Sequence, residues 1–229
     1  MLQLCLQITM RYEREKIMAP LKIVLVDDHS VVRAGFRLLL ESTGEIQVIA
    51  ELDSGEAINQ QAGQLMMDVI VMDLSMAGMG GIEAIRRIRA KGIKSKILVF
   101  TMHDNVVFAE QAMDAGANGY ITKNNAANVL VDAVKSVADG GTYIDPKIAN
   151  DLTMQQNPGG SSVLGKLSRR EFQIFCKFAE GKNAQEIADD LSLSVKTVAN
   201  YQTQLKEKLG INSTAELIKL ALANGVIQM

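Results

Sequence analysis

Apolar runs at 22–26, 69–72, 96–100 and 119–122 each end at a polar residue or pair: Asp27 and Asp28, Asp73, Thr101 and Lys123. Segments of helical spacing lie between them, with Val31, Ala34, Leu38 and Leu39 in the first and Ile82, Ile85 and Ile88 in the third. Residues 47–50 add another strand-like stretch, and residues 55–62, 106–115 and 127–138 read as further helices. Short continuous apolar runs predict strands buried on both faces, and the intervening period predicts crossover helices. Five strands alternating with five helices over 20–148 therefore predict a doubly wound α/β fold. Ser30 is expected to cap its first helix.

The pattern changes beyond residue 163. Ser168 with Glu171, Asn183 with Glu186 and Ser213 with Glu216 have the spacing of capping boxes, each opening a helical apolar period. Residues 184–209 read as two helices joined by a tight turn at 191–194, a helix-turn-helix whose second helix starts near Val195 and turns Val198, Leu205 and Leu209 inward. Between the two patterns, residues 155–162 (Gln-Gln-Asn-Pro-Gly-Gly-Ser-Ser) are polar and rich in turn formers, which marks a flexible linker. The expected partition is an N-terminal extension at 1–19, an α/β domain at 20–148, a linker at 149–163 and a small all-α domain at 164–229. In the extension Leu2, Leu4, Leu6 and Ile8 alternate with polar residues ahead of a mixed charge run, without the features of a secretory signal. It is expected to be disordered, or else to precede a physiological start at Met18.

Composition agrees with two ordinary soluble domains: 229 residues, 48% hydrophobic and 22% charged. No apolar run approaches the ~18 residues needed to span a bilayer. The net charge of −2 is unevenly divided. Residues 19–145 hold 11 Lys/Arg against 16 Asp/Glu, giving −5, whereas 164–229 hold 9 against 7, giving +2. A mildly basic second half allows a nucleic-acid surface there, and is also ordinary surface variation. Cys5 and Cys176 form neither a disulfide framework nor a zinc motif, and Cys176 belongs to an apolar stripe with Phe172, Phe175 and Ala179.

In a parallel sheet the carboxyl ends of the strands face one crevice, where ligands bind. Three carboxylates, a hydroxyl and an ammonium would converge there. Clustered carboxylates repel and are costly to desolvate, so stability alone does not call for them. A hard cation such as Mg²⁺ relieves the repulsion and suits oxygen ligands. Taken singly, each Asp also reads as a turn or cap residue and Lys123 as a solvated charge. His29 and His103 read as local loop residues.

Val-Asp-Asp-His at 26–29, Met-Asp-Leu-Ser-Met at 72–76, Phe-Thr-Met-His-Asp at 100–104 and Gly-Tyr-Ile-Thr-Lys at 119–123 resemble the receiver domain of two-component response regulators. The resemblance implies a flavodoxin-like sheet of order 2-1-3-4-5. It makes Asp73 the phosphoacceptor and puts Mg²⁺ on Asp27, Asp28, Asp73 and the backbone carbonyl of Ser75. Thr101 becomes the switch hydroxyl, Lys123 the phosphate-pairing lysine and Tyr120 the rotating aromatic that fills space when Thr101 moves. Two departures from the receiver pattern stand out: Ala77 replaces a common proline, and Asn124, Asn125 and Ala126 follow Lys123 without the expected one. Both bear on loop rigidity and phosphoryl lifetime.

The segments Leu167–Glu171, 181–188 and 193–198 are similar to the LuxR-type DNA-binding domain, a four-helix helix-turn-helix unit, and the combined order is that of the NarL/FixJ subfamily. That resemblance places Lys182, Lys196, Thr197, Tyr201 and Lys206 near phosphates and turns Ala199, Asn200 and Thr203 towards base edges, with Asn200 suited to adenine. The second helix carries no arginine, so one copy should bind weakly and a homodimer through 215–223 would double the contacts. Leu217, Ile218, Leu220 and Leu222 supply apolar surface for that, or pack within their own domain. The implied protein is a cytoplasmic transcription factor, not an enzyme, with double-stranded DNA, a sensor histidine kinase and RNA polymerase as partners and no membrane. A phosphatase of the haloacid-dehalogenase kind would want an aspartate where Ser75 stands. An adaptor that no longer binds DNA is the remaining rival.

Overall fold

The computed structural model describes residues 19–155, 163–191, 193–224 and 226–227. The expected extension (all but its last residue, Ala19) and the Gly-rich part of the expected linker, 156–162, lie outside them. Strands β1 (Leu21–Val26), β2 (Ile46–Leu52), β3 (Val69–Met72), β4 (Lys96–Thr101) and β5 (Gly119–Thr122) form a parallel sheet in the order β2-β1-β3-β4-β5. Helices α1 (Ser30–Glu41), α2 (Gly55–Gln61), α3 (Gly81–Ala90), α4 (Val106–Ala115) and α5 (Ala126–Ala138) connect them.

Alternation along β1 shows why both faces need cover. Ile23 and Leu25 join Leu40 of α1 and Leu130, Val134 and Val137 of α5 in one buried cluster. Val24 and Val26 join Ile58 of α2, Ile85 and Ile88 of α3, and Ala109 and Ala112 of α4 in the other. Each such buried aliphatic side chain contributes roughly 1.5–3 kcal/mol, so the two clusters fix the strand register and hold all carboxyl ends on one edge.

Three details differ from expectation. A sixth strand, β6 (Tyr143–Ile144), pairs parallel to β5, too short to register as an apolar run. Helix α6 (Pro146–Gln155) occupies the first part of the stretch read as linker. Buried Asp145 explains its start: one carboxylate oxygen accepts from Lys147 N at 3.0 Å and the other from the Thr122 hydroxyl at 3.0 Å. Proline at the first helical position is compatible with such a beginning. Finally, His29 rather than Ser30 stands at the cap of α1, with no side-chain capping bond.

The second half comprises α7 (Arg169–Ala179), α8 (Ala184–Leu191), α9 (Val195–Leu209) and α10 (Thr214–Ala223) around Phe172, Phe175, Ile187, Val198, Leu205 and Leu217. Ser168 and Glu171 make a full capping box. Asn183 accepts from Gln185 N and Glu186 N while Glu186 accepts from Asn183 N. Ser213 accepts from Glu216 N, but the Glu216 carboxylate turns to Asn212 N, one residue earlier than expected. Cys176 is half-buried against this core, as its stripe predicted. Among the described residues no helix is long and apolar enough to cross a membrane.

Burial works against the charge on Glu171, yet bonds from Lys208 and Ser168 outweigh it and hold the carboxyl below its usual range. A depressed folded-state value contributes stability above the unfolded value that is lost as pH falls through the folded one. Glu171→Ala is therefore expected to lower stability by about 1–2 kcal/mol at pH 7. The deficit should shrink below about pH 4; thermal unfolding across pH checks both.

Candidate functional site

The strand ends bring the acidic residues together as the sheet topology requires. Asp27 N bonds Leu52 O at 3.0 Å and Asp73 N bonds Val26 O at 2.8 Å, so the first residue past each strand is still held by the ladder. Asp27 and Asp73 are buried, as is Thr101, while Asp28 is exposed at the mouth. Lys123, one residue beyond β5, reaches across: its Nζ lies 2.5 Å from Asp27 Oδ2 and 2.7 Å from Asp73 Oδ2. The same ammonium sits 5.7 Å from the centre of the Phe100 ring. One cation is thus shared by two nearly dry carboxylates.

Three carboxylates and one ammonium leave a net charge of −2 on the cluster when His29 is neutral. Ligand atoms of Asp27, Asp28, Asp73 and His29 lie within 4.8 Å of one another. The donor set is hard and oxygen-rich, which fits Mg²⁺ in both charge and chemistry. His29, read from the sequence as a bystander, is drawn in: its Nδ1 lies 2.8 Å from Asp28 Oδ1 and 3.3 Å from Asp27 Oδ1. Its position next to the acidic pair was the one signal available.

The loop after β3 is fastened from several sides. Ser75 N donates to Asp73 Oδ1 at 3.2 Å, and Ser75 Oγ lies 2.9 Å from His103 Nε2. Ala77 N donates to Asp28 Oδ2 at 3.3 Å, a bond that proline in this place could not make. The departure at Ala77 therefore exchanges ring stiffness for a tether to the acidic pair. Gly81 opens α3 so close to this loop that an added Cβ would collide with the Asp73 carbonyl and the Leu74 backbone.

Across the pocket, Thr101 Oγ1 accepts from His103 N at 3.4 Å. Tyr120 is fully buried and its hydroxyl donates to His103 O at 2.9 Å, so the aromatic expected to rotate already points inward. Burial pushes its hydroxyl well above its ordinary pKa, with Asp73, Asp104 and Asp145 adding to the effect. Burial also lowers the pKa of the His103 imidazole, with Asp73 and Asp104 opposing and Lys123 adding to the effect.

In the second half, Ser194 caps α9 by accepting from Thr197 N at 3.1 Å. Val198 and Leu205 face inward, which leaves Lys196, Ala199, Asn200 and Thr203 exposed along the opposite side. Thr197, Tyr201 and Lys206 are half-buried beside them. Lys182 stands apart from this row, paired with Asp190 at 2.5 Å, and that bond raises its pKa. In α10, Leu217 is buried and Ile218, Leu220 and Leu222 are half-buried.

Residues 23–135 match the family described as "Response regulator receiver domain", and residues 165–221 match "Bacterial regulatory proteins, luxR family". The chain is 38% identical over 208 residues to "Response regulator UvrY" of Escherichia coli K12, covering 90% of this chain and 95% of the relative. It is 37% identical over 209 residues to "Response regulator GacA" of Pseudomonas aeruginosa, covering 90% and 98%. A solved structure of RcsB from Salmonella enterica serovar Typhimurium, bound to promoter P1flhDC with the phosphomimetic BeF3-, superposes with a TM-score of 0.74 at 26% identity, covering 89% of this chain and 98% of that one. A receiver followed by a LuxR-type helix-turn-helix over nearly the whole of its relatives' length places this chain in the NarL/FixJ family of two-component response regulators.

Proposed function

We propose that this response regulator is switched by Mg²⁺-dependent phosphorylation of Asp73 by a sensor histidine kinase, and that the phosphorylated form binds promoter DNA through α9 in the cytoplasm. The observation that carries this reading is the single Lys123 ammonium held between Asp27 and Asp73 in a cluster that remains −2 overall. Such a cluster is costly unless a cation such as Mg²⁺ offsets its negative charge, and a strongly charged cluster of this kind points to a functional site. Its family is one of transcription regulators rather than enzymes in the usual sense.

An Asp73 carboxylate oxygen attacks the donor's phosphorus, and the bond from phosphorus to the leaving group breaks as an acyl phosphate forms. Lys123 is placed to leave the carboxylate and pair with the incoming phosphoryl oxygens. Asp27, Asp28, Asp73 and the Ser75 carbonyl would hold Mg²⁺, which would supply the remaining charge neutralisation. The Thr101 hydroxyl then donates to a phosphoryl oxygen and draws its loop inward. Tyr120 is the aromatic of this switch: its inward ring, bonded to His103 O, is in the position that fills the space when Thr101 moves.

On the DNA side, Lys196, Thr197, Tyr201 and Lys206 meet phosphates, while Ala199, Asn200 and Thr203 approach base edges in the major groove. Lys182 must exchange Asp190 for a phosphate to take part. The similar RcsB structure, bound to promoter DNA in the presence of a phosphomimetic, supports this reading by analogy. A homodimer through α10 would compensate the helix's low charge, and RNA polymerase is a further partner at the promoter.

Binding to genomic DNA fragments tests the whole account. Wild type with Mg²⁺ and a small phosphodonor should gain the mass of one phosphoryl group at Asp73 and enrich specific fragments, and Asp73→Asn should do neither. Equal enrichment with and without donor would remove the phospho-switch, and no enrichment at all would favour the adaptor. Lys123→Met should lower stability by about 3–5 kcal/mol by stranding buried carboxylates, with Mg²⁺ restoring part of the melting temperature. Asn200→Ala should cost about 1–3 kcal/mol on specific sites only. Lys196→Ala should weaken all sites alike and reduce the salt slope by about one; quantitative binding at several salt concentrations separates the two.

A further inference from the structure

His29 stands at the cap of α1, yet its ring makes no capping bond to the first turn of that helix. Its backbone is fixed by the acidic pair instead, with His29 N donating to Asp27 Oδ1 at 2.8 Å. The imidazole turns the same way, and Nδ1 lies 2.8 Å from Asp28 Oδ1 and 3.3 Å from Asp27 Oδ1. A side chain that is 64% exposed gains little from packing or from a screened ion pair, so neither accounts for this direction. Lys123 takes the Oδ2 atoms of Asp27 and Asp73 and leaves an Oδ1 on each with a lone pair to offer. One ligand atom from each of Asp27, Asp28, His29 and Asp73 lies within 4.8 Å of the others, about the span across a single coordinated cation.

This donor set is mixed. Carboxylates alone suit Mg²⁺, which prefers oxygen, whereas an imidazole nitrogen favours divalent transition cations, with affinity rising from Mn²⁺ through Co²⁺. We propose that His29 is itself a metal ligand through Nδ1, and that it raises the pocket's affinity for a transition cation such as Mn²⁺, Co²⁺ or Zn²⁺ relative to Mg²⁺. The inference rests on the metal site proposed above and adds one nitrogen to its oxygen donors. The chain has two histidines, and the other is directed elsewhere, with His103 Nε2 2.9 Å from Ser75 Oγ. The selectivity therefore belongs to one ring. The unphosphorylated pocket then answers to the supply of transition cations as well as to Mg²⁺.

Calorimetric titration of the full-length chain with cobalt(II) chloride and with magnesium chloride tests this. His29→Ala should lose about tenfold in Co²⁺ affinity and keep its Mg²⁺ affinity within about twofold. Visible absorption of the Co²⁺ form gives a second reading that needs no variant, because a nitrogen ligand shifts its bands from those of an all-oxygen site. Asp28→Asn should weaken both cations. An all-oxygen spectrum in wild type, or Co²⁺ affinity unchanged in His29→Ala, would overturn the role of His29 and leave the Mg²⁺ site standing. Co²⁺ affinity unchanged in Asp28→Asn would put that cation elsewhere on the chain and overturn the proposal likewise. Failure of wild type to bind either cation would overturn the metal reading and the proposal with it.

Discussion

The arrangement of the first half depends on an ammonium lodged between two carboxylates at the edge of a parallel sheet. Lys123 follows β5 yet reaches Asp73 beyond β3 and Asp27 beyond β1, and both partners are almost dry. In that setting attraction to the lysine and repulsion between the carboxylates are both several times stronger than in water. Neither carboxylate can move without changing the other's balance. Any group that displaced the lysine from one carboxylate would therefore be felt across the pocket.

Those loops are fastened by short polar bonds rather than by packing alone. Ala77 N to Asp28, Ser75 N to Asp73 and Ser75 Oγ to His103 tie the loop after β3 to the acidic pair and to the loop after β4. Gly81 allows α3 to begin against the Asp73 carbonyl, where any side chain would push the loop away. A charge change at one carboxylate thus meets directional polar bonds and a close backbone contact instead of a yielding surface.

The second half is a small domain with a plain core and a weakly charged reading helix. Its capping bonds at Ser168, Asn183, Ser194 and Ser213 fix where each helix starts, and hence which residues of α9 face out.

Much of this was legible in the chain itself. Apolar runs ending in Asp27, Asp73, Thr101 and Lys123 pointed to a parallel sheet with those side chains at one edge, because continuous apolar strands alternating with helices share one carboxyl-end crevice. The capping pairs likewise marked the helices of the second half, since a cap is a local bond between residues three apart. Other features needed the folded molecule. Strand β6 is only two residues long, and α6 begins on a carboxylate whose partner, Thr122, is 23 positions away. The inward Tyr120 and the recruitment of His29 depend on distances between side chains that only the folded chain sets. Periodicity encodes which face a residue turns to its own element; which side chain it then meets is decided only when the elements pack.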